Sequence, residues 1–523
     1  MTLDALAKAN ITKFTIYPNS GGKEADFKGG VVELSYYEDI MSPTIRISAS
    51  IIDTGRAAAG NDGTGGKITA SESIKLTGME KCEIDMEDAV GQKLTLKDIN
   101  ISSRERITEK FNDMEFLEIV SKEYLKNESV RVVERYDGKI SDSVQKILKT
   151  VLQSNKTLDI EVTENQRSFI GTTKKPFWFI TWLGTQSIPQ KNPQSAGYFF
   201  WETHKGFKYK SVDTLMAQTT STSGSGSKTK YKSYIYNNTT SSVIPVGYTG
   251  KIINYDSNNT SDMKDKLTMG AFNSSVNLFN SFESSFGCNP LDLKSQEPNI
   301  SFSGTEFGKN LNLDFVKDPS RFFTSNEAIG GLTTVDESKN YDVEKSKILS
   351  TSTSRYNQVF TVKVNITIPA DFSLEAGELI FIDVPEQSSK PNPTNNERMG
   401  GVYMISALCH KITPGKGNDG FQAITSLELV RDSYGRKPNS SSSSSSTTGA
   451  TPVNSQMSSS EKGVTQADIA EGLSDENALM SQQEQVIAQT PPNGTKYDDE
   501  GYPADAGSEF EYNPVTGRLD PKD

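Results

Sequence analysis

The chain has 523 residues, enough for several domains. Hydrophobic residues make up 34%, no run approaches the ~18 apolar residues of a membrane helix, and the three cysteines (Cys82, Cys288, Cys409) lie too far apart for a disulfide framework or a metal knuckle. Net charge is −12, but residues 461–523 hold fourteen acidic against four basic residues, a net of −10; the remaining −2 on residues 1–460 gives no sign of a basic nucleic-acid groove.

The opening MTLDALAKANITKF lacks an apolar signal core, so export by a signal peptide is not expected. Residues 1–102 read as β-rich. In 44–51, Ile45, Ile47, Ala49 and Ile51 alternate with Thr44, Arg46, Ser48 and Ser50, the pattern of a strand with one wet face. Residues 14–17, 31–37, 73–76 and 94–101 add strands. The loop 56–66 (RAAAGNDGTGG) comes close to a phosphate loop. It fails, because Asn61 and Ile68 stand where the pattern needs Gly and Ser/Thr.

Residues 103–215 turn helical. Phe116, Leu117, Val120, Tyr124 and Leu125 fall at helical spacing. Val144, Ile147, Leu148, Val151 and Leu152 form a second stripe, with Ser141 as its N-cap. The stretch 174–215 holds the densest aromatic cluster, with Phe177, Trp178, Phe179 and Trp182 on a helix that Pro176 opens and Gly184 closes. Segments 198–202 and 207–210 then read as a hairpin about Thr203-His204-Lys205-Gly206, where Gly206 supplies a positive φ. Core packing explains these aromatics taken singly. A helix this apolar, followed by an aromatic hairpin, belongs at a core or between domains.

Residues 216–229 read as a linker. Short strands follow at 231–236 and 251–255, then an uneven apolar pattern at 263–286 and a loop-rich region to about residue 349. The strongest β pattern is next: Phe360, Val362, Val364, Ile366 and Ile368 alternate with Thr361, Lys363, Asn365 and Thr367. Strands at 379–384, 402–407 and 421–430 follow. The segment 415–420 (GKGNDG) fits G-x-G-x-x-G, but it joins two strands and opens no helix, so it reads as a hairpin turn. From 437 the chain is serine-rich, then acidic. It has too little apolar content to offset its ordering entropy and is expected to be disordered alone, with 467–487 able to fold on a partner.

Chemistry-bearing motifs are scarce. His204 falls in the turn. His410 follows Cys409 in a strand, so the two side chains face opposite ways and make no dyad. Glu83, Asp85, Glu87 and Asp88 read as solvated charges. No catalytic residue, cofactor or metal is expected, and no enzyme.

Order and pattern together resemble the central baseplate hub protein of contractile-tailed (myovirus) bacteriophages. The resemblance covers about residues 5–435. It is carried by VVELSYYEDIMSPTIRISASIIDTG, KISDSVQKILKTVL, PFWFITWL, YFFWETHKGFKYKS and VFTVKVNITIPADFSLEAGELIFIDVPE, in that order, rather than by a short diagnostic motif. The acidic tail and the Ser/Thr/Asn-rich loops depart from the family. The resemblance implies an α+β, β-rich fold with two tail-tube-like antiparallel β-barrel domains and an α-containing domain between them. It also implies an insertion in the second barrel and a disordered C-terminal tail. The boundaries are 1–102 for the first barrel, 103–196 for the helical domain, 197–256 with 351–436 for the second barrel, 257–350 for the insertion and 437–523 for the tail.

The resemblance further implies a virion protein of the tail baseplate, made in the host cytoplasm. A homotrimer would form a pseudo-sixfold ring about a channel, adapting the hexameric tail tube to the trimeric central spike during assembly and genome ejection. Its partners would be the spike, the tube protein and neighbouring baseplate proteins, with DNA passing without specific binding. The candidate channel-lining residues are the polar strand faces, Thr44, Arg46, Ser48, Ser50, Thr361, Lys363, Asn365 and Thr367. The alternative is a receptor- or glycan-binding β-protein of a tail appendage. A cell-wall hydrolase would need a carboxylate pair that the sequence does not single out.

Overall fold

The structure is a computed structural model that describes residues 8–21, 24–53, 59–61, 67–69, 74, 76–109, 112–193, 195–216, 231–236, 250–257, 263–271, 273–280, 285–290, 318–326, 341–385, 399–415, 420–432, 510–513 and 518–521. It is β-rich with few helices. The first strands are β1 (Lys8–Tyr17), β2 (Val31–Asp39), β3 (Arg46–Asp53), β4 (Lys81–Asp88), β5 (Lys93–Glu109) and β6 (Asn112–Ser121). Helices α1 (Lys122–Ser129), α2 (Ile140–Lys146) and α3 (Pro176–Gly184) follow, then the hairpin β7 (Tyr198–Thr203) and β8 (Gly206–Ser211). After β9 (Lys232–Ile235) and β10 (Asn254–Asp256) come α4 (Tyr341–Val359), β11 (Val362–Pro369), β12 (Leu379–Asp383), β13 (Gly401–Pro414) and β14 (Phe421–Arg431).

The two β-blocks share one 13-stranded sheet, in the order β9-β12-β13-β2-β3-β6-β5-β4-β1-β14-β11-β10, with Ala25–Asp26 paired to β1. The long hairpin β13–β14 is its spine. Residues 401–404 of β13 pair with β12, and residues 407–412 pair with β2. Residues 421 and 422 of β14 pair with β1, and residues 424–431 with β11. Because β13 also pairs with β14, the hydrogen bonds close a circuit through β13, β2, β3, β6, β5, β4, β1 and β14. Closure of this kind leaves those strands without an open edge along the paired residues.

One core serves both blocks. Ile47, Ala49, Ile84 and Leu117 pack in the same cluster as Val364, Ile366, Leu427 and Leu429. Each such side chain, taken from water, stabilises the fold by about 1.5–3 kcal/mol. A second core gathers Val144, Ile147 and Leu148 with Phe177, Phe179, Ile180 and Leu183. Strand β7 joins the two regions and is buried along its whole length. Its Tyr198 and Phe200 face the helical core, whereas Phe199 and Trp201 face a cluster with Val359, Met404 and Val430. Period-two alternation thus sends one strand's aromatics into two cores.

Helix α3 carries Pro176 at its first turn, as the sequence predicts. The hairpin also forms as expected, with the two-residue turn His204-Lys205 and Gly206 at φ +135°. A Cβ added at Gly206 would lie 2.2 Å from the Thr157 carbonyl oxygen. Gly206→Ala is therefore expected to destabilise the fold by roughly 1–3 kcal/mol, read as a drop in urea midpoint; an unchanged midpoint would show that the turn can be remade.

Several local expectations are corrected. Phe116, Leu117 and Val120 lie in β6, not in a helix, and only α1 is helical there. Pairing with β3 on one side and β5 on the other overrides the helical spacing. Ile74 lies in a turn and Leu76 in no strand, though both are buried. Ser141 is not a cap, because α2 starts at Ile140; its N–H donates instead to Thr163 Oγ1 at 3.1 Å. Gly184 is the last residue of α3 and has no positive φ. Residues 263–286 divide into a short helix, Met263–Thr268, and strand Ser274–Asn280. The region taken as loop to residue 349 ends in α4. The linker 217–229, the turn 416–419 and the tail segments 440–446 and 467–487 lie outside the described residues.

Candidate functional site

Of the candidate lining residues, Arg46, Ser48 and Ser50 sit on β3 and Lys363, Asn365 and Thr367 on β11, far apart in sequence, and the register relates the two strands through the sheet. Thr367 pairs with Ser426, Ser426 with Cys409, Cys409 with Tyr37, and Tyr37 with Arg46. In the next row Lys411 pairs with Ser35, Ser35 with Ser48, and Ser48 with Glu118. Asn365, Glu428, Ala407 and Asp39 make a third row. These rows share one face of β11, β14, β13, β2, β3 and β6, which buried residues interrupt: Ser35 within its row, Val120 beside Arg46 and Val430 beside Lys363. The residues between, such as Ile47, Ala49, Val364 and Ile366, turn into the core.

Arg46, Lys363 and Asn365 are exposed; Ser48, Ser50, Thr361 and Thr367 are half-buried. Thr44 precedes β3 and is only 7% exposed, so it drops off the open face. Thr361 precedes β11, and its hydroxyl donates to the Gln358 carbonyl at 2.6 Å. The cations of the face carry partners on neighbouring strands. Arg46 pairs with Glu118, Lys411 with Glu33 at 2.8 Å, and Lys363 with Glu428 at 3.8 Å. Asp39, Lys363, Ala407 and Glu428 also line one shallow groove with Met41 and Phe360. The sequence reading missed Glu33, Tyr37, Glu118, Cys409, Lys411 and Glu428. Alternation in 31–37 carries a signal for Glu33 and Tyr37, but only the register shows that these strands share a face.

A second constellation lies under the aromatic hairpin, where its turn meets segments from both β-blocks. Glu38, fully buried, accepts the Tyr36 hydroxyl at 2.6 Å, the His204 N–H at 2.9 Å and the Ala376 N–H at 2.8 Å. Glu202 accepts the Ile45 N–H at 3.3 Å and pairs with Lys156 at 2.5 Å. Lys156 also reaches Glu123 at 2.9 Å. Glu375 accepts the Thr203 hydroxyl at 3.1 Å and pairs with Lys205 and Lys208. The indole N–H of Trp201 donates to the Ala376 carbonyl at 3.0 Å. Buried carboxylates persist only when paired and hydrogen-bonded, and these bonds tie the turn to residues 36–45 and 375–376 at once.

The electrostatics follow from the partners. Burial pushes the Glu202 carboxyl up, and the Lys156 charge opposes it without reversing the direction. Burial also pushes Glu375 up, but the Lys208 charge and the Lys205 and Lys208 hydrogen bonds outweigh it and hold the carboxyl at about 2. Because that value lies below the ~4.3 of an unfolded Glu, Glu375 contributes stability that is complete above the unfolded value and is lost as pH falls through about 2. In Glu375→Gln the fall in urea midpoint between pH ~4.5 and ~2 should be shallower than in wild type; parallel curves would remove Glu375 from the acid response.

His410 is buried, and burial followed by the nearby His204 lowers it to about 3, so it stays neutral at ordinary pH. Its Nδ1 lies 2.8 Å from Thr425 Oγ1 and its ring stacks on Tyr36. Cys409 faces the other side of the strand, as expected. Of the four carboxylates read as solvated, Asp88 is buried instead. It caps the β4–β5 turn through the Val90 and Gln92 N–H groups at 2.9 and 2.8 Å, and accepts the Phe372 N–H at 3.2 Å. Glu83 is held at about 2, chiefly by its hydrogen bond from Lys13. Among the described residues no group of three or more His, Cys, Asp or Glu is placed to hold a metal.

No family model matches the chain, and no curated protein does. Among solved structures it is similar to the tail protein from Neisseria meningitidis, at 12% identity and a TM-score of 0.43, over 80% of this chain and 96% of that one. It is similar to the 43 kDa tail protein of prophage MuSo2 from Shewanella oneidensis, at 8% identity and a TM-score of 0.46, over 81% of this chain and 99% of that one. A prophage tail protein from Listeria monocytogenes is similar at 9% identity and a TM-score of 0.37, over 80% and 94% of the two chains.

Proposed function

We propose that this chain is the structural hub of a phage tail baseplate. Two tube-like barrels per chain, with the helical domain between them and an insertion at 257–350, assemble as a homotrimer around a DNA channel. The ring adapts a hexameric tail tube to a trimeric central spike, and the role involves no catalysis and no cofactor. The observation that carries this is a face shared by strands of both β-blocks, on which Arg46, Ser48, Glu118, Asn365, Glu428 and Lys411 lie and whose reverse side is their common apolar core. A wall of a water-filled channel needs that division of faces.

Negative-stain electron microscopy of the full chain tests it. The expected particle is a threefold ring with a central hole, alone or after mixing with the spike; monomers under both conditions reject the hub. Within assembled rings, Ser48→Cys and Asn365→Cys should react only with thiol reagents small enough to enter the channel, against the native Cys409 as background. Labelling by reagents too large for the channel places the face outside.

One observation favours the glycan-binding reading. Trp178 is 49% exposed and stacks on Trp182 at 6.3 Å, with Lys174 and Arg167 over the two rings. Saccharide-dependent quenching of tryptophan fluorescence that Trp178→Ala abolishes would move that reading ahead.

A further inference from the structure

The channel face holds three outward cations among its described residues, Arg46 on β3, Lys363 on β11 and Lys411 on β13. Each is matched by a carboxylate on an adjacent strand: Glu118 on β6, Glu428 on β14 and Glu33 on β2. Each pair therefore crosses one strand boundary of the same face. Asp39, on the row of Glu428, adds a further acid. The acids are open to solvent, at 46%, 43% and 42% side-chain exposure. Such exposed pairs add little to folding stability, so holding strands together explains them poorly.

We propose that Glu33, Glu118 and Glu428 are anti-adhesion residues, which neutralise Lys411, Arg46 and Lys363 so that a polyanion, duplex DNA, slides past this wall without binding. The proposal rests on the channel reading. A lysine or arginine free to meet a phosphate releases a condensed counterion and gains affinity that depends steeply on salt. A carboxylate one strand away cancels the local net charge and so reduces that gain. The long aliphatic stems remain to cover the strands, and the charge they carry is cancelled locally.

The test uses the full chain with Glu33→Gln, Glu118→Gln and Glu428→Gln combined. Glutamine keeps the size and removes the charge. Binding to a labelled duplex of about 20 base pairs is read by fluorescence anisotropy at about 50 and 200 mM salt. Wild type should show no binding. The triple variant should bind, with log affinity falling against log salt by about 0.9 for each phosphate it contacts. Adding Arg46→Gln, Lys363→Gln and Lys411→Gln should abolish that binding. The single Glu118→Gln variant, one neutral exposed change, should show a smaller gain and guards against loss of fold, which the thermal midpoint reports.

Three results would overturn the proposal: wild type binding duplex as tightly as the variant, a folded triple variant that does not bind, or binding that survives removal of the three cations. The ring and the anti-adhesion role fail separately. Absence of a threefold ring sinks the channel while leaving a gain of DNA binding as a property of the face. A ring whose triple variant ignores DNA keeps the channel and rejects these acids.

Discussion

Lys156→Met will cost the fold about 3–5 kcal/mol, the size expected when one partner of a buried ionic group is removed. Lys156 is 13% exposed at its side chain and lies between Glu202, fully buried, and Glu123, 4% exposed. Methionine fills the same space without the charge, so the loss is electrostatic. Two carboxylates are then left facing each other without a cation, and burial already disfavours the charge on Glu202. The deficit should shrink as pH falls, because protonation removes the uncompensated charges. The triple change Lys156→Met, Glu123→Gln and Glu202→Gln should recover most of the loss, since glutamine still offers an oxygen to the Ile45 N–H that Glu202 now accepts. Urea midpoints at pH ~7 and ~5 check both statements. A single-variant loss under ~1 kcal/mol would show that water already screens this cluster.

Trp201→Ala should be at least as damaging. Trp201 is fully buried on β7, and its ring edge lies over Gly377, where an added Cβ would sit 2.6 Å from Cζ2 and where φ is +88°. Removing the ring leaves a cavity worth about 3–5 kcal/mol. It also strips the Ala376 carbonyl of the indole donor at 3.0 Å, at a further cost of about 1 kcal/mol. Because Trp178 is 49% exposed while Trp201 is buried, the variant should also lose the blue-shifted part of its tryptophan emission. A folded variant with the wild-type midpoint would mean that the turn is held by its ionic bonds alone, and the two experiments together apportion the junction between packing and charge.

What could be read from the sequence was local. The alternation at 44–51 and 360–368 identified strands with one wet face, and the structure keeps Ile47, Ala49, Val364 and Ile366 inside with Arg46, Lys363 and Asn365 outside. Pro176 and Gly206 marked a helix start and a turn because each residue's backbone limits or freedom is intrinsic. Phe116, Leu117 and Val120 misled for the converse reason, since short apolar spacings suit a helix or a strand and only pairing with β3 and β5 decides.

The sequence by itself determined which residues of each strand are apolar and where the chain must turn, because those depend on side-chain chemistry and on one residue's φ. The tertiary structure alone decided that β3 and β11 share a face, because the rows between them pass through β2, β13 and β14, whose register is set by contacts between residues up to hundreds of positions apart. It alone turned Glu38, Glu202 and Glu375 into buried residues. A carboxylate written in a sequence looks like surface, and only a folded chain can bring it the N–H groups and lysines that make its burial affordable.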